Sequence, residues 1–154
     1  MRTSSWLCVL TLALLPIRAG MSQTGAPVAE VENLMRRLTD AVNRQDGKLM
    51  TSVYVLEDPL VFSSHAVYMT RRDSLHAIYL AWDPTKTKGT FLAFDGLSYR
   101  PLGPDAMLVT GRRRLAPGTP TGTAADTLRG SWTGVFERRK GRWGLAHEHE
   151  SFQR

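Results

Sequence analysis

Apolar residues after Pro27 fall at Val28, Val31, Leu34, Met35, Leu38, Ala41 and Val42, the spacing of one helical face. Pro27 itself suits a first helical position, where its missing N–H costs nothing. Asp46-Gly47 breaks this helix, and Leu49, Met50, Val53 and Tyr54 predict a shorter second one before Pro59. Leu60-Val61-Phe62 reads as a short strand. Thr70-Arg71-Arg72-Asp73 has the layout of a capping box, with Asp73 where Glu is usual. Leu75, Ile78, Tyr79 and Trp82 then give a third apolar face that Pro84 ends.

Beyond Lys88 the apolar period falls from about 3.6 residues to about 2, and the remainder predicts strands over 90–99, 105–115, 125–138 and 142–152. Gly103-Pro104 and Lys140-Gly141 mark tight connections, and residues 117–122, with two prolines and two glycines, mark a longer one. Helices first and strands afterwards predict an α+β domain, in which an antiparallel sheet buries one face against the helices. A chain of 154 residues, 42% hydrophobic and 22% charged, fits one such domain with a core of its own.

The N-terminal segment changes this picture. Arg2, the apolar run Trp6–Leu15, Pro16 and a small-residue stretch have the order of a secretory signal peptide. The run is too short to span about 30 Å of hydrocarbon as a helix, so no stable membrane anchor is expected. Residues 1–19 are read as the signal, with cleavage after Ala19 or at sites toward residue 26; the alternative is that translation starts at Met21. Cys8 would leave with the signal, and the exported protein, periplasmic or secreted, would carry no cysteine. Removal of Arg2 and Arg18 would lower the formal charge from +6 to +4. Cations cluster at Arg112-Arg113-Arg114 and at Arg138-Arg139-Lys140 with Arg142, but no nucleic-acid-binding signature accompanies them. They are read as a solvated sheet end or hairpin, with no nucleic acid as partner.

On the last strand Trp143, Leu145, His147, His149 and Ser151 alternate with Gly144, Ala146, Glu148 and Glu150. Alternate residues of a strand face opposite sides. With Trp143 and Leu145 inside, strict alternation points His147 and His149 inward as well. The ending from Gly141 to Ser151, after Val135-Phe136-Glu137-Arg138-Arg139, resembles the closing hairpin of SnoaL-like domains in the nuclear transport factor two-like superfamily. The first helix and the segment from Tyr54 to Phe62 fit that pattern, so the resemblance covers 28–152. It implies a cone, also described as cystatin-like: a strongly curved sheet wrapped around N-terminal helices, a small-molecule cavity at the open end, and commonly a homodimer. It does not imply one activity, since isomerases, polyketide cyclases, dehydratases and binding modules share the fold.

The related ketosteroid isomerases use an Asp base and an oxyanion hole of Tyr and protonated Asp. Asp58, in Glu57-Asp58-Pro59, falls instead in the turn before a strand, and the base position falls near Ser63 or Ser64, which cannot serve; Asp58 is read as a turn or cap residue. His147 and His149 are the candidate catalytic pair, since an imidazole near a cavity can exchange protons at neutral pH; the other reading of them is a satisfied hydrogen-bond network. A metal held by the same pair would need His65, His76 or Asp73 at no diagnostic spacing, so no metal is expected, and no motif implies a cofactor. Tyr54, Tyr68, Trp82 and Trp132 join the histidines as candidate ligand contacts, although Thr133 and Val135 compete with Trp132 and Phe136 for the inward face. The function this predicts is binding of a small hydrophobic molecule in a cavity edged by histidines. The alternative is a cofactor-independent isomerase, cyclase or hydrolase using His147 or His149 as general acid and base.

Overall fold

A computed structural model describes residues 25–64, 67–82, 90–117 and 127–153. The signal-like segment, His65, Pro84 and most of the loop after Pro117 lie outside these residues. Helix α1 (Gly25–Arg44) buries Val31, Leu34, Met35, Leu38, Ala41 and Val42, the face its spacing predicts. It ends at Gln45, whose positive φ of 54° turns the chain. Asp46 then caps α2 (Gly47–Thr51), its carboxylate accepting from the Leu49 amide at 2.9 Å.

Helix α2 is shorter than the sequence predicts. Val53 and Tyr54 leave it to run beside the last strand: the Leu145 amide donates to Val53 O at 2.9 Å, and the Val55 amide donates to Leu145 O at 3.1 Å. These bonds win because they satisfy buried backbone groups that another helical turn would have aimed elsewhere. Strand β1 (Val61–Ser64) follows, then β2 (Val67–Met69), which no periodicity announces. In α3 (Arg72–Leu80) the expected capping box does not form, since Arg71 occupies the N-cap without a side-chain bond. Asp58 supplies the cap from a distance, accepting from the Arg72 amide at 2.7 Å. Leu75 and Tyr79 face the core as expected, whereas Ile78 is 48% exposed.

Strands β3 (Thr90–Gly103), β4 (Ala106–Pro117), β5 (Leu128–Arg139) and β6 (Arg142–Phe152) form an antiparallel meander. The six-stranded curved, unclosed sheet has the order β2-β1-β6-β5-β4-β3, and β1 runs parallel to β6. Its concave side holds the helices and the core, so the α+β cone is the observed architecture. Lys140 and Gly141, with φ of 49° and 78°, make the two-residue turn whose twist matches a hairpin. The basic residues around that turn are spent internally. Arg138 pairs with Asp105, Lys140 with Glu57, and Arg142 donates to the carbonyls of Ser52 and Tyr54, stapling the segment before β1 to the hairpin.

Candidate functional site

Strand β6 decides what faces the cavity, and it does not alternate throughout. Phe136 stands opposite Leu145 and Val135 opposite His147, so Ala146 is an extra residue with no cross-strand partner. This β-bulge shifts the inward series by one position. Before it Trp143 and Leu145 are buried; after it Glu148 and Glu150 line the cavity. His147 and His149 lie on the convex side, opposite Val61 and Ser63 of β1, the first half-buried and the second exposed. The inward placement expected of the two histidines is therefore corrected. Among the described residues no group of three or more His, Cys, Asp or Glu could hold a metal.

The cavity, about 330 Å³, lies between the end of α1, the tip of α3 and the strands β1, β3, β4 and β6. Its wall is largely apolar, from Leu38, Val42, Phe62, Trp82, Leu92 and Phe94, with Gln45, Tyr79, Arg113, Glu148 and Glu150 as polar members. Glu148 is 2% exposed. One of its oxygens accepts from the Tyr54 hydroxyl, the other from Trp132 Nε1–H at 2.7 Å. The Tyr54 and Tyr79 hydroxyls are 3.0 Å apart. A carboxylate accepts only, so Tyr54 gives its one proton to Glu148 and Tyr79 is the donor to Tyr54. The protons thus run in one direction, from Tyr79 at the cavity wall to Tyr54 to Glu148. Burial first, and the Glu148 charge second, hold both phenols well above their ordinary pKa.

Beside this chain Arg113 forms an ion pair with Glu150, whose other oxygen accepts from Ser64 Oγ at 2.8 Å. The guanidinium lies 5.0 Å from the centroid of the Phe152 ring. Burial lowers the Arg113 pKa from its ordinary value, opposed by the Glu148 charge.

Of the predicted contacts, Trp82 lines the cavity, while Tyr54 and Trp132, each 1% exposed, sit behind it and hold Glu148. Trp132 and Phe136 take the inward face, Thr133 and Val135 the outward one. Tyr68 is 69% exposed, opposite Ser63 on the convex side of β2, and is not among the described residues that line the cavity. Sequence reasoning missed Arg113, Glu148 and Glu150. Arg113 was legible, since Met107, Val109 and Leu115 share its strand parity on β4. The carboxylates were hidden by Gly144-Leu145-Ala146, a run too uniformly small or apolar to show where alternation slips.

A family model described as the SnoaL-like domain matches residues 31–154. The chain is a SnoaL-like domain. Among solved structures this SnoaL-like domain is similar to a nuclear transport factor two-like protein of unknown function from Shewanella oneidensis, with 25% identity over 81% of this chain and 98% of that one and a TM-score of 0.68. A provisional dehydratase of the same superfamily from Streptomyces avermitilis shares 20% identity over 82% of this chain and 95% of that one, with a TM-score of 0.66. A cystatin-like domain of unknown function from Nostoc punctiforme shares 18% identity over 85% and 80%, with a TM-score of 0.70. No curated protein matches the sequence. For this SnoaL-like domain, likeness at these identities carries the fold, and activity has to be argued from the cavity.

Proposed function

We propose that this domain binds a small organic molecule inside the cone, with its carbon body against the aromatic wall and a polar group at Glu148 and Tyr79. The observation that carries the reading is Glu148: a buried carboxylate on a cavity wall, held by two donors from separate elements. Cavities of this kind, mostly apolar with a few fixed polar groups, are typical ligand sites. Supporting this, relatives of the same fold include one provisionally named as a dehydratase.

The second reading is catalysis in the same place, favoured by the directed chain of hydroxyls. Tyr79 could accept a proton from the ligand as its own passes to Tyr54 and Tyr54's passes to Glu148, leaving a neutral carboxyl group and two intact phenols. The histidines have no part in this step.

Tyr79→Phe separates the two. In an enzyme it should cut turnover by at least about a hundredfold, beyond what one lost hydrogen bond takes from affinity, because it interrupts a general acid–base path. In a binder it should alter affinity only, by the value of one hydrogen bond.

Export and homodimer formation belong to the same proposal. Val61, His147, Val135 and Leu108 form a half-buried band across the convex face, a surface a second copy could cover. A native mass spectrum of exported protein, repeated under denaturing conditions, should give a dimer carrying an organic adduct and a chain lacking residues 1–19. An uncleaved chain would refute export, and a bare monomer would refute the dimer.

A further inference from the structure

Among the described residues lining the cavity three are charged, Arg113, Glu148 and Glu150, and they do not balance. Arg113 and Glu150 neutralise each other, and Ser64 completes the pair. Arg113 Nε is buried without a hydrogen-bond partner, so that edge of the guanidinium offers nothing a ligand can reach. Arg113 Nη1 is tied to Glu150 while the flat face covers Phe152.

Glu148 shares the field of the same Arg113 guanidinium, so a single positive charge faces two carboxylates. Tyr54 and Trp132 are neutral donors: they stabilise an ionised carboxylate by hydrogen bonding but do not cancel its charge. One guanidinium serves two carboxylates in a site shielded from water, where uncompensated charge is costly. The surroundings reinforce the sign. Phe62 stands directly opposite Glu148 on β1, and Tyr79, Trp82 and Phe94 present ring surface to the same space. Ring faces attract cations. Val42 and Gln45 bring the C-terminal turn of α1, the negative end of its dipole, to the cavity wall.

Resting on the reading of the cone as a ligand site, we propose that its ligand is a cation: a protonated amine on a compact apolar body, the ammonium directed at Glu148 and the carbon frame against the aromatic wall. A volume of about 330 Å³ limits that body to about one or two rings.

Three probes of one shape and different charge test this: benzylammonium, benzyl alcohol and benzoate, titrated calorimetrically into the mature protein at neutral pH. Benzylammonium should bind at least about tenfold more tightly than benzoate. Glu148→Gln should erase that preference, so that benzylammonium and benzoate bind within about twofold of each other. If Glu148→Gln does not fold, Glu150→Gln serves, since it frees the Arg113 charge and should reduce the preference from the other side. Benzoate binding as tightly as benzylammonium overturns the cation proposal and leaves the ligand site standing. Failure of all three probes to bind overturns the ligand site with it.

Discussion

Glu148 and its two donors are a unit in which no member can be exchanged for an apolar residue of similar shape without orphaning another. Glu148→Leu would leave Trp132 Nε1–H buried without an acceptor, while the Tyr54 hydroxyl can turn its proton to Tyr79 at 3.0 Å. An unsatisfied buried donor costs about 1–3 kcal/mol, so the variant should lose about 1–3 kcal/mol in urea denaturation. Trp132→Phe removes a single bond to a charged acceptor and should lose about 1.5–3 kcal/mol. The phenols make a second residue-scale prediction. Burial keeps Tyr54 and Tyr79 protonated in the folded state well past the pH at which an unfolded tyrosine ionises, about 10. Above that pH the unfolded chain gives up protons that the native one retains, so stability is full below it and falls as pH rises. In an alkaline titration followed by tyrosinate absorbance, these two of the four tyrosines should stay silent until the protein unfolds.

At the scale of elements the cavity depends on two departures from regular β-structure. The bulge at Ala146 rotates two carboxylates inward, and Gly134 of β5 leaves room for the Trp132 ring to lie along its own strand and reach Glu148. A Cβ at Gly134 would collide with that ring and stand 3.0 Å from Leu145 Cδ1. Gly134→Ala should therefore destabilise by about 1–3 kcal/mol, as overpacking does, and should perturb the near-ultraviolet dichroism of Trp132 more than the far-ultraviolet signal. Helix α1, the last four strands and the Lys140-Gly141 turn were legible because period and turn chemistry are local properties of the chain. The parity of β6 after Ala146 was not, because a bulge is set by the partner strand. Asp58 was legible as a cap, but not as the cap of α3, since it reaches that helix across 14 positions of sequence.

For the whole molecule, the cone was readable from the order of helices before strands and from the resemblance at the C-terminus, while the joining of β1 and β2 to the meander was not. It comes from β1 lying parallel to β6, which carries no periodic signature of its own. The contacts that complete the cavity are among the longest in sequence: Tyr54 to Glu148 spans 94 positions and Ser64 to Glu150 spans 86. Contacts of such separation form late and slow folding, because the intervening chain must be ordered before they repay its entropy. During synthesis α1 and the β3–β4 hairpin can assemble as they emerge, but the cavity has to wait for the final strand. A chain still lacking β6 leaves β1 paired only with β2 and β5 only with β4, and has no Glu148 to accept from Tyr54 and Trp132, so the act of finishing the polypeptide is also the event that joins the two parts of the sheet.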